Sequence, residues 1–553
     1  MANMLSIGIS GLQASQRNLA TAGHNISNVN TDGFSRQSVE LATRTPNVFG
    51  SGFIGAGVDV VSIKRVYDEF LSSQVTSRNS AFNQLDTLQQ LASGLDGLLA
   101  NEDAGLNPAL QNFFNALQDV SNNPTSIPAR QVAILEAETL VDRFSSLDKR
   151  IADLRSTVND QLGAVTTEIS NIASSVAELN KSITLERGKA GGQPPNDLLD
   201  KRDVLINRLA ELVSVSTLEG DDGSINVFMG NGQTLVLGST ATTVGTIRSD
   251  FDKSQFEVSV SNGSTSYSIS SQISGGKLGG LLAFRDQVLN PVQDSMGRVA
   301  VGLAATFNTQ HQLGDDVSGN PGGLFFNNII ASSPVVLPSS NNNPASGTVS
   351  VSITDTNLMQ ASEYRLNYDG ATFSVKRLSD DTIVDSGFAI GDFPRTVATD
   401  GLTLTLAGSV AAGDSFLIRP VRNGGNDISV AISSAAEIAA AASGNALGDN
   451  SNALALAAMQ LKNVMGGSTE TYQSAYAKLV ANVGGTTNQA KVNADAQSAL
   501  LNRAIEEQQS VSGVNLDEEA ANLIKFQQAY QAAAQLIRIS DEIFQTLINA
   551  AGR

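Results

Sequence analysis

Between positions 140 and 183 apolar residues return at steps of only three or four: Leu140, Phe144, Leu147, Ile151, Leu154, Val158, Leu162, Val165, Ile169, Ile172, Val176, Leu179 and Ile183. That spacing keeps one face of a helix apolar without a break, and it predicts a single helix about 65 Å long at 1.5 Å per residue. No single globular core wraps a helix of that length, so the fold is expected to be elongated along it and divided into several domains. Helical patterns near 80–100 and 108–120 are expected to pack beside it. Pro124, Pro128 and the run Gly191-Gly192-Gln193-Pro194-Pro195 read as the turns between them.

Both ends of the chain carry heptads. Leu5, Leu12, Leu19 and Ile26 recur every seven residues, with the small Gly8, Ser15 and Ala22 three positions on. Leu516, Leu523, Tyr530, Ile537 and Phe544 keep the same period near the other end, reinforced by Phe526, Ala533 and Leu547. Such stripes bury against another helix, and the small residues permit close approach. Asn515 with Glu518 reads as a capping-box-like start for the second of them. Neither helix is stable alone in water. Periodicity by itself leaves open whether the partner belongs to a bundle of the same chain or to another molecule.

From about Val213 the pattern shifts to short alternating runs with Gly and Asp turns, which predict a β-rich insertion. Helical periodicity returns after 276, and a second β-rich stretch spans about 345–422, where Asp369-Gly370 marks a hairpin turn that tolerates positive φ. Helix-prone sequence then resumes at 436–444 and continues to the C-terminus. The expected fold is multidomain α+β: an elongated helical rod and coiled coil formed by the N- and C-terminal parts of the chain, with inserted β-rich domains. The boundaries fall at 1–66 with 510–553 for a terminal coiled-coil domain, and at 67–212, 276–340 and 426–509 for a helical rod. A β-rich insertion occupies 213–275 and an outer β-rich domain 341–425.

Composition excludes chemistry. With no Cys, disulfides, thiolate zinc sites and cysteine nucleophiles are ruled out. His24 and His311 are the only imidazoles, and neither has a second ligand-type residue at metal spacing. The pairs Asp221-Asp222, Asp315-Asp316 and Asp380-Asp381 read as turns, not calcium loops. Gly50, Gly52 and Gly55 formally fit G-x-G-x-x-G, but extended sequence follows where a dinucleotide fold needs a helix. Neither Gly188-Lys189 nor Gly276-Lys277 continues into a phosphate loop. No catalytic, cofactor or metal residue is therefore assigned, and no enzyme activity is expected. A formal charge of −19 repels nucleic acid and anionic membrane alike. No run of eighteen apolar residues predicts a membrane span, and the N-terminus lacks the features of an ordinary secretory signal. On composition alone the chain reads as soluble and cytoplasmic.

After the first heptad, Ile26-Ser27-Asn28-Val29-Asn30-Thr31-Asp32-Gly33-Phe34-Ser35-Arg36 makes sense as a helix exit: Asn and Asp end the helix, Gly33 permits the turn and Phe34 anchors the segment after it. Through Asn28, Asn30, Gly33 and Phe34 it resembles the N-terminal signature shared by flagellar rod, hook and hook-associated proteins. A narrower resemblance, to the FlgK family of hook-associated proteins, rests on 195–203 (with Asn196, Asp197, Asp200, Arg202 and Asp203), on 278–285 and on 512–519. Segments 307–311 and 413–420 are similar to the same family.

The resemblance implies a structural subunit joining hook to filament, which self-assembles through its terminal helices. Leu5, Leu12, Leu19, Ile26, Leu516, Leu523, Tyr530, Ile537 and Phe544 would form the assembly interface. The implied partners are further copies in a ring at the hook tip, hook protein on one side, a further hook-associated protein on the filament side, and an export chaperone before secretion. Neither a cofactor nor membrane insertion is implied. Export through the flagellar type III apparatus would give an extracellular location. The alternatives are a hook or distal rod subunit, a cytoplasmic coiled-coil scaffold, and a secreted hydrolase on a flagellar scaffold.

Overall fold

The computed structural model describes residues 2–49, 52–101, 105–263, 265–446 and 448–551. Helices α1 (Ala2–Ser27), α2 (Glu69–Leu99), α3 (Leu106–Asn122), α4 (Ile127–Lys189) and α5 (Asn196–Leu212) occupy the first part of the chain. The 63 residues of α4 make it longer than the apolar seam predicts, about 94 Å. Pro128, expected as a turn, lies in its first turn, where a missing N–H breaks no helical bond, and Ser126 caps the start by accepting from the Ala129 amide. Every seam residue of α4 is buried or half-buried. Gly191 at φ 65° and Gly192, whose amide donates to the Arg187 carbonyl at 2.8 Å, end the helix.

Helix α6 (Gly276–Phe284) runs through a π turn at Arg285–Leu289 into α7 (Asn290–His311), which is buried over most of its circumference. Two single-turn helices, α8 (Ile329–Ser332) and α9 (Gly424–Asp427), precede α10 (Ser451–Ala458), α11 (Tyr472–Ser512) and α12 (Leu516–Ala551). The rod forms as α11 packs along α2, and α3 and α5 pack along α4. The terminal unit forms as α1 pairs with α12.

Strands β1 (Gln37–Thr43), β2 (Asn47–Phe49), β3 (Gly52–Ile54) and β4 (Val58–Arg65) come after α1; β1 pairs antiparallel with β4, and β2 with β3. Gly52 and Gly55 thus belong to extended chain, while Gly50 lies outside the described residues. The first insertion holds a sheet of β5 (Val215–Glu219), β6 (Ile225–Met229), β7 (Gln233–Leu237) and β8 (Thr240–Ala241), in that order. Beside it β10 (Phe256–Asn262) sits between β9 (Thr243–Arg248) and β11 (Thr265–Ser268).

Strand β12 (Gly314–Asp315) precedes the outer lobe, which contains β13 (Val335–Pro338), β14 (Thr348–Ile353), β15 (Tyr364–Tyr368), β16 (Phe373–Arg377), β17 (Ile383–Phe388), β18 (Arg395–Val397), β19 (Leu402–Ala407) and β20 (Ser415–Arg419). These form a five-stranded sheet ordered β13-β20-β15-β16-β17 and a three-stranded sheet ordered β14-β19-β18. Asp369 and Gly370 begin the β15–β16 turn: the Asp369 carboxylate accepts from the Ala371 and Thr372 amides, and Gly370 takes φ 103°. The acidic pairs are turns as well, with Asp222, Asp316 and Asp380 accepting from amides two residues ahead.

One helical expectation fails. Residues 435–437 form a single 3-10 turn, and the chain then extends into β21 (Ala441–Ala442), which pairs with β12. Tertiary partners replace the helical ladder there: buried Arg130 donates to the carbonyls of Ala435 and Ile438, and the Ala439 amide donates to His311 Nε2 at 2.9 Å. Local propensity loses to these bonds.

His311 is fully buried, with Nδ1 2.9 Å from the Gly323 carbonyl. Accepting at Nε2 and donating from Nδ1 is possible only for the neutral ring. Burial accordingly pulls its pKa below the usual value, against the carbonyl contact. The unfolded chain takes up a proton that the folded chain refuses, so this group's stabilisation is complete above roughly pH 6.5 and is lost as pH falls. Melting temperature is expected to drop between pH 7.5 and 5.5 in the natural chain and to drop less in His311→Gln. Parallel curves for the two would contradict this.

A buried charge cluster joins the three parts. Arg422 binds Asp294 of α7 through two bonds of 2.9 and 3.0 Å and reaches Glu363 of the outer lobe at 2.7 Å. Arg419 bonds the same Glu363 and also Asp252 of the first insertion, the latter at 2.6 Å. Burial works to raise the Asp252 carboxyl, but the Ser254 hydroxyl and Arg419 together hold it at about 2. Arg155 of α4 bonds Gln293 nearby, and burial with the two other guanidiniums draws its pKa down to about 10.

Candidate assembly interface

Helices α1 and α12 are antiparallel. Near one end Gly8 faces Ala533 and Ile537, and near the other Asn25 meets Glu519. A Cβ on Gly8 would stand 2.8 Å from Ile537 Cγ1, so this glycine sets how closely the axes approach. The buried heptads are Gly8, Ser15 and Ala22 on α1, and Glu519, Ala533 and Ser540 on α12, with Phe526 half-buried among the latter. Leu12, Leu19, Ile26, Leu523 and Ile537 flank this seam and are half-buried. Leu5, Leu516, Tyr530 and Phe544 are exposed.

Register explains part of that pattern. With Gly8 opposite Ile537, the residues of α12 beyond about 543 overhang the start of α1, so Phe544, Leu547 and Ile548 have no α1 neighbour. Leu516 lies past the other end of α1. The contact between the two helices therefore leaves an apolar surface free.

The polar residues of the seam escaped sequence reasoning, although Asn25 and Glu519 occupy helical positions beside the heptad. Asn25, 1% exposed, donates to the Gln37 carbonyl at 2.9 Å and to Glu519 Oε1 at 3.1 Å, and its Oδ1 accepts from the Gln37 amide. One side chain thus ties α1, β1 and α12 together. Asn25→Ala is expected to cost about 1–3 kcal/mol through unpaired buried groups. Hydrogen exchange should accelerate at Gln37 and in the first turns of α12, and unchanged protection there would contradict the assignment. Asn515 caps α12 by accepting from the Asp517 and Glu518 amides. Glu518, however, does not complete a capping box: its carboxylate bonds Arg36 at 2.8 Å, the nearer cation winning it.

The helix exit is fastened to the start of α5. Asn28 accepts from Thr31 and donates to the His24 carbonyl, while Asn30 is exposed. Gly33 has φ 73°, and a Cβ there would come 2.1 Å from Val204 Cγ2, so the turn requires glycine twice over. The Phe34 ring stands edge-on to His24, centroids 5.4 Å apart. Asp200 accepts from the Ser35 amide at 3.1 Å and from Arg65 at 3.0 Å, and Asp203 is the second carboxylate on Arg65. Burial works against the charge on Arg65, but the two carboxylates outweigh it and hold the group protonated. Asp197 accepts from Gln37 and Asn196 donates to the Ile63 carbonyl. Arg202 turns the other way, donating to Asn180 of α4 and to the Gly223 carbonyl. Asn196, Asp197, Asp200 and Asp203 thus tie the terminal unit to the rod.

Among the described residues no group of three or more His, Asp or Glu is arranged to hold a metal, and no helix is long and apolar enough to cross a membrane. Beside the exit loop lies a cleft of about 1250 Å³, walled by 29–36, the starts of α2 and β5, the middle of α5 and the end of α11.

Residues 92–326 match the family model for the helical domain of the flagellar hook-associated protein FlgK, and 337–420 match a D2-like domain of flagellar hook-associated protein 1. The ends match flagellar basal body rod families, 5–34 at the N-terminus and 507–550 at the C-terminus. The chain is similar to flagellar hook-associated protein 1 of Salmonella typhimurium (36% identity) and of Escherichia coli (34%), in each case over 99% of this chain and 100% of the relative. The Bacillus subtilis protein of that name is 26% identical over 98% of this chain and 96% of its own. Among solved structures, the flagellar hook junction protein FlgK from Burkholderia pseudomallei superposes with a TM-score of 0.74 at 27% identity, covering 80% of this chain and 100% of that one.

Proposed function

We infer the function from the family: this chain belongs to the flagellar hook-associated protein 1 (FlgK) family, and it is a structural subunit of the bacterial flagellum at the junction between hook and filament. The observation that carries this reading is similarity over essentially the whole chain, ends included. No catalytic role is assigned to it.

Within the organelle, the chain assembles with further copies of itself as a ring at the hook tip. Hook protein lies on one side and a further hook-associated protein on the filament side. The apolar residues that the α1–α12 contact leaves exposed, Leu5, Leu516, Tyr530 and Phe544, support a role for the terminal helices in contacts between subunits. An export chaperone covers exposed terminal helix before secretion through the flagellar export apparatus, and the working location is extracellular. The rod supplies lateral packing and the outer lobe faces solvent or neighbours.

An epitope inserted in the exposed β15–β16 turn tests the location. Immunogold electron microscopy should place label at the boundary of hook and filament on the cell exterior. Label along the filament, or confined to the cytoplasm, would refute the assignment.

A further inference from the structure

The hairpin of β2 and β3 places Val48 directly across from Phe53, and these side chains are 73% and 74% exposed. Ile54 beside them is 50% exposed. An isolated two-stranded hairpin is marginal in water, and among the described residues these strands pack substantially only on each other. No charged residue stands between Arg44 and Asp59, so the projection itself brings no ion into a contact.

The neck of the hairpin is fixed beside the start of α1: Arg44 reaches Ser6 Oγ at 3.5 Å, and the Val58 amide donates to Ser10 Oγ at 3.2 Å. The cleft beside the exit loop lies past the opposite end of α1. From Ser10 to Ser27, the end of α1, is about 26 Å along the helix, and no described residue of the hairpin lines the cleft, so the hairpin does not fill the cleft of its own chain. At about 1250 Å³ the cleft exceeds the usual range for small-molecule pockets. Its walls present Val29, Tyr67, Val204, Leu501 and Ile505, all half-buried or exposed. An open trough of that size, with these apolar side chains set among polar and charged ones such as Arg36, Glu69 and Asp203, suits a strand pair better than a small ligand.

We propose that the β2–β3 hairpin docks into the cleft of a second copy of this chain, with Val48, Phe53 and Ile54 set against its apolar side chains Val29, Tyr67, Val204, Leu501 and Ile505. A projection and a recess at opposite ends of one unit give a head-to-tail contact, which closes into a ring or continues as a helix. Exit-loop residues such as Gly33 and Phe34 then shape a receptor as well as end a helix. The inference rests on the self-assembly described under Proposed function.

The chain has no natural cysteine, so introduced thiols report one contact each. Phe53→Cys and Gln509→Cys copies, the latter on the cleft wall, are co-expressed in cells lacking the natural gene. Isolated hook-basal bodies are treated with a short bis-maleimide. A dimer at twice the chain mass is expected only when both variants are present. Phe53→Asp, at an exposed position, should leave monomer melting unchanged while abolishing filament attachment. Chain present at the hook tip without the dimer would overturn the docking and leave the junction assignment standing. Cross-linking to a different flagellar protein would overturn the second-copy occupant. Chain absent from the hook tip would overturn the assembly reading and the docking together.

Discussion

Arg422→Ala is expected to lower stability by about 3–5 kcal/mol, the usual cost of breaking a buried ion pair from one side. The guanidinium is buried and bridges Asp294 of the rod to Glu363 of the outer lobe. Its removal strands Asp294 in the interior, away from bulk water, and leaves Glu363 to Arg419 alone. Because Arg419 carries the same Glu363 to Asp252, the loss should loosen all three parts at once. Calorimetry should show the outer-lobe transition moving down and separating from that of the rod. Arg422→Lys should recover little, since one ammonium cannot reproduce the two-bonded contact with Asp294 and also reach Glu363. Arg422→Met combined with Asp294→Leu should recover more, although Glu363 would then depend on Arg419 alone. A loss below about 1 kcal/mol in Arg422→Ala would mean the cluster is not the joint described.

The second large effect concerns the terminal pair. Ile537→Asp removes an apolar contact with Gly8 and sets a carboxylate on the seam, costing up to roughly 1.5 kcal/mol of apolar burial, since Ile537 is half-buried, before desolvation is counted. Gly8→Ile attacks the same contact from the other helix, because no side chain fits there at the present axis separation. In both variants hydrogen exchange should accelerate across 2–27 and 516–551, while the rod and outer lobe keep their natural melting. Filament attachment should be lost. Unchanged terminal protection together with full motility would show that the seam is drawn in the wrong place.

The long helix was legible because its thirteen seam residues keep one continuous face turned inward, onto the rod helices and the strands of the first insertion, so periodicity and packing agree. The β insertions were legible for the same reason at period two. Three local readings gave way to tertiary partners. Pro128 joined α4 because Ser126 supplied a cap, Glu518 left its capping box for Arg36, and 438–442 was drawn into extended form by Arg130 and His311. In the terminal helices the period was readable but the phase was not. Large residues at 5, 12, 19 and 26 dominate the pattern, yet the closest approach of α1 and α12 is made by the small residues beside them, where backbone proximity outweighs side-chain size. Asn25, Glu519 and the Arg422 cluster are polar, so a pattern of apolar residues does not mark them. Their partners are far away in sequence, and no spacing rule could have joined them.

The junction assignment is tested most directly by deleting the gene in its native bacterium, imaging the cells by electron microscopy and assaying the medium for shed flagellin. The account predicts hooks without filaments, flagellin lost to the medium, and filaments restored by the intact gene. Normal filaments on the deleted strain would contradict it.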